Sequence, residues 1–442
     1  MAAPVWRNWA GDQQCVPAAV ERPASVEELR ESVARAVDGG RSVRVAASGH
    51  SFTDIACTDG VMLRLDRMNR VLEVDPIGGL AKVEGGIVIR DLSEVLATHR
   101  LALENLGDID VQTVAGAIST ATHGTGERFG NISSQVDALE LVTADGSVVE
   151  CSRESDPELW RAARVGLGSL GAIATVTFRV VPNFTIRRHD HPLPLEEAFA
   201  RLDELAAANE HFEFYVFPHT RTALCRESRH VDEAPRPRRG AAEYLQETVL
   251  ENHALALMCQ IGKRFPARIP SINRLITRTL SGSVKTDASH RVFSTRRLVR
   301  FTEMEYAIPR EHGPEALTRV LEMIDRREYA VPFPVEYRIV AGDDAYLSTA
   351  HERETAYIAV HMYRGMVWEP YFRAVEAIMD DYEGRPHWGK RHFQSAATLA
   401  PRYPEWDRFQ AVRARLDPEG RFQNEYSRRV LGPVGAGVAT SA

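Results

Sequence analysis

Glu336 and Arg338 lie two residues apart in the otherwise apolar run Phe333 to Val340. In a β-strand, residues i and i+2 point to the same face, so a carboxylate and a guanidinium would project side by side. The carboxylate can accept a hydrogen bond from a substrate hydroxyl, and the guanidinium can stabilise negative charge that develops during a reaction. A surface ion pair on an exposed strand is the alternative. The apolar residues between and beside them indicate a buried opposite face and favour the functional interpretation.

Two further groups of polar residues follow within about fifty residues. His361 and Tyr363 form a second i, i+2 pair at the end of the strand-like run Ala356 to Tyr363, although core positions for both rings remain an alternative. Lys390 ends the turn-like segment Arg385 to Lys390, in a chain where almost every basic residue is arginine. A lysine kept at such a position indicates a need for a compact, titratable ammonium, and an ordinary surface lysine is the alternative.

Two segments in the first half of the chain, Val45 to Phe52 and Val114 to Gly126, are rich in Gly, Ala, Ser, Thr and His. Each is predicted to be a short apolar strand that runs into a turn. Small residues let backbone N–H groups approach a phosphate closely, and hydroxyls add further donors. Two such turns can hold a diphosphate from both sides, with His50 at the tip of the first. Together they suggest a flavin dinucleotide site.

The segment Gly166 to Gly171 spells GxGxxG, the pattern of nicotinamide-binding Rossmann domains. That site requires a strand before the glycines and a helix after them. Here Asp156 is expected to cap a helix before the glycines, and residues 172–181 form a β-rich run after them. The order is reversed, so no nicotinamide site is predicted.

The coarse pattern of elements is α+β. Ser25 and Glu28 form a capping-box pattern that predicts a helix ending at Gly39 and Gly40. Asp145-Gly146 between two alternating runs predicts a hairpin. Hairpins mixed with helices favour α+β rather than a doubly wound α/β sheet.

Composition limits the possible functions. A chain of 442 residues is long enough for two domains. Its net charge of −7 argues against nucleic acid as a partner, and no run approaches the ~20 apolar residues of a membrane span. Five scattered cysteines fit free thiols better than a disulfide framework or a zinc site, so no metal site is expected. No signal-peptide pattern begins the chain, which favours a cytoplasmic location.

Three motifs resemble the sugar-1,4-lactone oxidases, which include gulonolactone and arabinonolactone oxidases and their alditol oxidase relatives. They are Gly49-His50-Ser51, the run Asp54 to Gly60, and Thr122 to Gly126. The resemblance extends from Trp6 to Arg429 and is loose between about 187 and 327. It implies the two-domain, vanillyl-alcohol-oxidase-type FAD-binding fold of the α+β class. The expected division is an FAD-binding domain at 1–181, a cap or substrate domain at 182–383, and a segment at 384–442 that returns to the FAD domain.

The same resemblance implies that FAD is bound covalently, through its 8α-methyl group, at His50. His123 is expected to be structural rather than catalytic. Ala121 departs from the glycine that many oxidases of the family carry, and leaves open whether the protein is an oxidase or a dehydrogenase. The remaining cofactor-binding residues are expected to be Ala46, Ala47, Ser48, Gly49, Ser51, Phe52, Gly116, Ser119, Thr120, Thr122, His123, Gly124 and Ile173.

In the family, the Glu-x-Arg strand lies over the flavin ring, and the lysine of the His-Trp-x-Lys turn lies in the active site. The resemblance therefore implies Glu336, Arg338, Lys390 and His361 as catalytic residues, with Tyr363 and His387 beside the substrate. Tyr363 stands where alditol oxidases have threonine, which favours a compact lactone over an extended polyol.

The expected reaction is oxidation of an alcohol group of a sugar-1,4-lactone, of the L-gulono or D-arabinono type, by hydride transfer to flavin N5. Oxygen or another acceptor would then reoxidise the flavin. The alternatives are an alditol or free-sugar oxidase, and a non-catalytic flavin-fold protein in a biosynthetic pathway.

Overall fold

A computed structural model describes residues 5–236, 251–295 and 297–435. The helices of these residues are α1 Val26–Asp38, α2 Ile89–Thr98, α3 Val114–Ser119, α4 Pro157–Ala163, α5 Leu195–Ala200, α6 Leu202–Ala208, α7 Glu251–Arg264, α8 Ile269–Thr279, α9 Ser289–Phe293, α10 Gly313–Arg326, α11 Glu369–Asp380, α12 Ala396–Leu399, α13 Trp406–Leu416 and α14 Glu425–Leu431. The strands are β1 Trp6–Arg7, β2 Gln14–Cys15, β3 Ala19–Glu21, β4 Val43–Val45, β5 Val61–Leu63, β6 Val71–Asp75, β7 Leu80–Glu84, β8 Leu101–Ala102, β9 Val136–Val142, β10 Val148–Ser152, β11 Ala172–Arg179, β12 Val181–Pro182, β13 Thr185–Pro194, β14 His211–Val216, β15 Thr222–Val231, β16 Ser283–Ala288, β17 Phe301–Pro309, β18 Val335–Val340, β19 Thr355–Tyr363 and β20 Arg385–Pro386.

The N-terminal part contains two larger sheets, a parallel one ordered β3-β5-β4 and an antiparallel one ordered β10-β9-β11-β7-β6. Its local signals behave as expected from the sequence. The Ser25 side chain accepts a hydrogen bond from the Glu28 N–H at the start of α1. Strands β9 and β10 form the hairpin predicted around Asp145-Gly146.

The prediction of a strand at Val114 was wrong, because residues 114–119 form helix α3. The Thr113 side chain caps this helix by accepting a hydrogen bond from the Gly116 N–H. The buried residues Val114, Ala117 and Ile118 have the i, i+3, i+4 spacing of a helix rather than the alternation of a strand. A Cβ at Gly116 would lie 2.7 Å from the Ala47 Cβ, so the glycine permits close approach to the first turn.

Residues 166–171 lie between helix α4 and strand β11, in the reversed order that the sequence predicted. The carbonyl oxygens of Leu167 and Gly168 accept hydrogen bonds from the guanidinium of buried Arg44, at 3.0 and 2.9 Å. The segment is therefore tied into the protein core through its carbonyls, and no helix N-terminus follows it to receive a pyrophosphate.

The second large unit is an eight-stranded sheet ordered β16-β13-β15-β14-β18-β19-β17-β20. One face of its central strands carries apolar residues, including Phe214, Tyr337, Ile358 and Met304, which are fully or almost fully buried. This face packs in one hydrophobic cluster with residues of α5, α6, α10 and α11. The alternate residues of the same strands form the opposite, polar face.

The C-terminal residues pack into the N-terminal part. Trp388, Tyr403, Phe409 and Tyr426 belong to the same buried cluster as Ile118 and other N-terminal residues. The Asn424 side-chain amide donates hydrogen bonds to the carbonyls of residues 54, 55 and 57, at 3.1, 3.0 and 2.9 Å. Among the helices of the described ranges, none has both the length and the apolar character needed to cross a membrane.

Candidate active site

The polar face of the large sheet gathers acidic and basic side chains from three neighbouring strands. Ala359 of β19 pairs with Glu336 of β18 on one side and with Glu305 of β17 on the other. Glu303 pairs in the same way with His361. Since Ala359 carries only a methyl group, longer side chains can meet above it. Carboxylate and imidazole atoms of Glu303, Glu336 and His361 lie within 4.8 Å of one another.

Glu336 and Arg338 project together, as the i, i+2 spacing predicted. The Arg338 guanidinium donates a hydrogen bond to Glu336 and lies 2.9 Å, through Nε, from Glu213 Oε2. Glu336 and Arg338 are only 5% and 6% exposed. Burial disfavours the charged forms, but Arg338 and Arg226 outweigh it and lower the pKa of Glu213 to about 2. The pKa of Arg338 is raised by its carboxylate neighbours despite burial. Glu213 and Arg338 are therefore ionised, and Arg338 holds Glu336 in position.

Lys390 lies between two carboxylates of strand β17. Its ammonium is 2.6 Å from Glu303 Oε1 and 2.6 Å from Glu305 Oε2. Burial alone would raise the pKa of both acids, yet the ammonium and a neighbouring histidine lower that of Glu303 to about 2 and that of Glu305 well below its usual value. The carboxylates in turn raise the pKa of Lys390, although burial opposes this. Lys390 remains charged throughout the physiological pH range.

Three histidines border this lysine. His361 Nε2 lies 3.3 Å from Glu303 Oε1, and His123 Nε2 lies 3.2 Å from Glu305 Oε2. The His123 ring also stacks on Tyr357 with 3.7 Å between centroids. His387 Nδ1 accepts a hydrogen bond from the Gly389 N–H at 3.0 Å. Burial, assisted by the Lys390 charge, lowers the pKa of His387 to about 3, so this ring is neutral.

The first small-residue turn forms an anion cradle. Within the described residues, none of the backbone N–H groups from Ala47 to Ser51 donates a hydrogen bond to protein. Gly49 has φ +74°, a conformation that favours glycine. Five consecutive N–H groups left without protein acceptors suit the diphosphate of a dinucleotide. The residues therefore fit the implied FAD.

His50 lies in this cradle with its ring stacked on Trp9, 5.3 Å between centroids. Burial lowers the pKa of His50 to about 4, so the imidazole is neutral at physiological pH. Within the described part of the chain, its ring nitrogens form no hydrogen bond with protein. A neutral imidazole with an available nitrogen can act as a nucleophile.

Backbone hydrogen bonds connect the turns to the charged cluster. The Phe52 N–H donates to the Gly389 carbonyl at 2.7 Å, which places the His50 turn against the Lys390 turn. The Gly126 N–H donates to the Ile339 carbonyl at 2.7 Å, which joins the second turn to the strand of Glu336. The cradle and the charged cluster are thus parts of one site.

The second turn offers fewer donors than its sequence indicated. The hydroxyls of Ser119 and Thr120 donate back to the helical carbonyls of Ala115 and Gly116, at 2.6 and 3.2 Å. Ala121 follows with φ +56° and is fully buried. Helix α3 therefore uses the hydroxyl protons that were expected to meet a phosphate.

The structure also locates the more peripheral candidates. Tyr363 is partly buried against a small cluster that contains Phe333 and Phe301. Ile173 lies in strand β11, within the N-terminal core. The other predicted cofactor residues lie in the two turns described above, and their contacts with FAD remain predictions.

Sequence reasoning missed Glu303, Glu305 and Glu213. The first two carry the same signal as the Glu-x-Arg pair, because Glu303 and Glu305 alternate with Met304 and Tyr306 in β17. Their apolar partners are fully buried on the other face. An i, i+2 pair of acids in an apolar strand could therefore have been identified from the sequence. Glu213 carries a related signal, because it alternates with the buried Phe212 and Phe214 in β14.

In two groups of residues, histidine nitrogens and carboxylate oxygens lie within 4.8 Å of one another, close enough for a metal ion to bridge them. One group is His123, Glu305 and His387, and the other is Glu303, Glu336 and His361. The Lys390 ammonium lies between the two groups and supplies positive charge to Glu303 and Glu305. The expectation that the protein has no metal site stays a prediction.

Comparisons with known proteins identify the family. A family model described as D-arabinono-1,4-lactone oxidase matches residues 176–430, and one described as an FAD binding domain matches residues 17–152. An L-gulono-1,4-lactone dehydrogenase of Mycobacterium tuberculosis is 54% identical, over 98% of this chain and 100% of the relative. The L-gulonolactone oxidase of Bos taurus is 37% identical over 96% and 98%, and an alditol oxidase of a Streptomyces species is 32% identical over 96% and 98%.

Among solved structures, a cholesterol oxidase from Brevibacterium sterolicum is similar over 97% of this chain and 96% of its own, with a TM-score of 0.79 and 18% identity. This likeness concerns the fold alone. It confirms the predicted α+β, two-domain fold of the vanillyl-alcohol-oxidase type.

Replacement of Lys390 should change how stability depends on pH. Lys390→Met leaves Glu303 and Glu305 without their cation, which we expect to cost about 3 kcal/mol at pH 7. In the wild type, Lys390 lowers the pKa of both acids in the folded state. The stabilisation is therefore fully present above the pKa of 4.5 that a glutamate has in the unfolded chain, and it is lost as the pH falls towards 2. In the variant the unpaired acids take up protons at higher pH, so the difference in unfolding free energy should shrink between pH 7 and pH 4. Urea unfolding at several pH values measures this difference.

Lys82→Met is the matched control, because the Lys82–Glu140 pair has a similar distance of 2.9 Å but is partly exposed. It should cost about 1 kcal/mol or less. A destabilisation of Lys390→Met that stays constant with pH would contradict the assignment.

Proposed function

The chain belongs to the D-arabinono-1,4-lactone oxidase family, and we propose that it oxidises an alcohol group of a sugar-1,4-lactone of the L-gulono or D-arabinono type. It is an FAD-dependent oxidoreductase. The observation that carries the substrate assignment is the charged cluster of Glu336, Arg338 and Lys390 beside the anion cradle. Such a cluster could hold a neutral, hydroxyl-rich ring and control its proton.

Bound FAD would supply the acceptor for the hydride that leaves the carbinol carbon. Glu336 would accept the hydrogen bond of the reacting hydroxyl, because Arg338 fixes its carboxylate and keeps it buried. Arg338 and Lys390 would stabilise the negative charge that develops on the substrate oxygen. His361, held at Glu303, would orient a second hydroxyl.

A lactone is favoured over an alditol by the environment of Tyr363. Its phenol packs with Phe301 and Phe333, and both of these rings also contact His361. Bulky rings at this end would shorten the pocket and disfavour an extended chain. The neutral His387 lies at the other side of Lys390, and because its Nδ1 accepts from the Gly389 N–H, its Nε2–H would donate one hydrogen bond to the lactone.

The domain division at 1–181, 182–383 and 384–442 is part of this proposal. Support comes from strand β13, which begins the large sheet at Thr185, and from the N-terminal packing of Trp388 and Tyr426. We also propose a cytoplasmic location, which agrees with the five cysteines being free thiols.

The flavin is proposed to be covalently attached at His50. The neutral ring, its available nitrogens and its position within the cradle support this bond. Acid-precipitated wild-type protein should remain yellow, whereas His50→Ala should release its FAD or lose it during purification. His99→Ala, at an exposed helix end, is the control and should keep the colour. Release of all flavin from the acid-treated wild type would refute the bond.

Glu336 and Lys390 are proposed to act as one catalytic unit. Glu336→Gln should slow anaerobic flavin reduction by L-gulono-1,4-lactone about 10²-fold or more, because the amide cannot take up the hydroxyl proton. Lys390→Arg should also slow it, since the larger guanidinium cannot fit between Glu303 and Glu305 in the same way. The double variant should lose much less than the product of the single losses.

Glu376→Gln is the control for burial, because Glu376 is a buried carboxylate on helix α11 that accepts hydrogen bonds from the Phe393 N–H, at 2.8 Å, and from the Tyr306 hydroxyl on the apolar face of the sheet. Its reduction rate should match the wild type. Near-normal reduction in Lys390→Arg would show that only a positive charge is needed at this position.

The electron acceptor is proposed to be controlled by Ala121. Because φ is +56° at this residue, glycine would stabilise the fold by relieving about 1–2 kcal/mol of backbone strain. It would destabilise the fold by about 0.8 kcal/mol through the lost burial of the methyl group and by about 0.5–1 kcal/mol through backbone entropy. Ala121→Gly should therefore keep its melting temperature nearly unchanged. Stopped flow should show severalfold faster reoxidation by oxygen, with unchanged anaerobic reduction. Equal reoxidation rates in variant and wild type, or rapid reoxidation in the wild type, would remove Ala121 as the barrier.

A further inference from the structure

Positive charge is concentrated in one segment of an otherwise acidic protein. Residues 263–300 contain ten basic side chains and a single acid, Asp287, whereas the whole chain has a net charge of −7. A basic segment that also forms amphipathic helices is typical of a surface that meets anionic partners.

The first part of this segment lies on a pair of helices in the cap region. Helices α7 and α8 are joined by the turn at Pro266–Arg268. Their inner sides are anchored, since Cys259 is fully buried and the Asn273 amide donates to the carbonyls of Pro218 and Val331, at 3.2 and 3.0 Å. The outer sides are therefore held in a defined orientation.

Large apolar side chains lie on these outer sides. Leu257 and Ile261 of α7 and Phe265, the residue directly after it, follow one another at four-residue intervals and are 58%, 41% and 55% exposed. Leu275 of α8 is 64% exposed. Four-residue spacing aligns side chains on one face of a helix, so Leu257, Ile261 and Phe265 form a partly exposed apolar stripe.

Basic side chains of α7, of α8 and of the turn between them lack acidic partners, and the Arg264 guanidinium lies 5.2 Å from the Phe265 ring centroid. Among the described residues, Arg264, Arg268, Arg274 and Arg278 are exposed and form no ion pair. Elsewhere, exposed arginines such as Arg201 pair with nearby carboxylates. The four guanidinium groups are therefore available to an external anion.

We propose that the outer surface of α7 and α8 docks on an anionic lipid bilayer. Arg264, Arg268, Arg274 and Arg278 would contact phosphate and carboxylate headgroups, and the stripe of Leu257, Ile261 and Phe265 would enter the boundary between headgroups and acyl chains. Nucleic acid would pair with the arginines but would leave the apolar stripe exposed to water. The combination of arginines with an apolar stripe therefore favours a lipid bilayer over nucleic acid. The helices lie on the membrane and do not cross it.

Docking at this surface would bring the membrane close to the cap side of the active site. Leu255, Ala256 and Cys259 on the inner side of α7 share a hydrophobic cluster with Phe301, Phe333 and Tyr363. Two of these aromatic rings contact His361. One helix therefore contributes both to the docking surface and to the wall of the site.

The test is co-sedimentation of the holoenzyme with vesicles of phosphatidylserine and phosphatidylcholine in equal amounts, compared with pure phosphatidylcholine vesicles. The protein should bind the anionic vesicles, should not bind the neutral ones, and should be released by 0.5 M salt, a concentration of the order that screens surface charge. Arg264→Gln, Arg268→Gln and Arg278→Gln combined should weaken binding by about tenfold or more. The double variant Ile261→Ser, Phe265→Ser should also weaken binding to the anionic vesicles. This loss should not depend on salt concentration, because the variant removes apolar contact and no charge.

The matched control combines Arg41→Gln, Arg67→Gln and Arg408→Gln, exposed residues of the N-terminal part and the C-terminal segment, with Ile77→Ser. It removes the same charge and an exposed apolar group, and it should bind as the wild type does. Activity with a soluble electron acceptor should be unchanged in every variant. Equal loss in the control, equal binding to neutral vesicles, or binding only to polyglutamate as a mimic of an acidic protein would overturn the proposal.

Discussion

A partly buried ammonium held between two buried carboxylates is the interaction on which the site depends. Lys390 comes from the C-terminal segment, whereas Glu303 and Glu305 come from the large sheet. Opposite charges at 2.6 Å attract strongly where little water screens them. Without the lysine, burial would raise the pKa of both acids and favour their protonated forms. The Phe52–Gly389 hydrogen bond extends the same connection to the His50 turn. The ion pairs and this hydrogen bond thus join three segments that lie far apart in the chain.

The large sheet can hold this network because one of its faces is apolar and the other is polar. The apolar face, with Tyr337 and Ile358, supplies the burial that stabilises the sheet. The polar face contributes little to that burial and is tolerated because its charges are paired, as Arg338 is with Glu336 and Glu213. Fixed charges of this kind need no reorganisation when a substrate oxygen becomes negative. The catalytic role proposed for Glu336 and Arg338 would account for the cost of burying these charges.

Local patterns predicted much of this arrangement. Period-two alternation located the Glu336–Arg338 strand and its buried face, and side-chain capping located helix α1. Helix α3 was missed because six small residues carry too short a pattern to distinguish a helix from a strand. Contacts such as that between Lys390 and Glu305 join residues 85 positions apart, and no local spacing encodes them. Sequence alone could thus identify candidate side chains but not their partners.

Ala121 shows how a local irregularity becomes informative once the backbone is known. In the sequence it is one alanine among several small residues, but in the fold it is fully buried with a positive φ. A non-glycine residue in that conformation is strained, and such strain tends to be retained at functional sites. Glycine would remove the strain, so backbone preference alone does not explain the alanine. What distinguishes the two residues is one methyl group beside the His123 turn, and the proposed restriction of access to that turn would account for its presence.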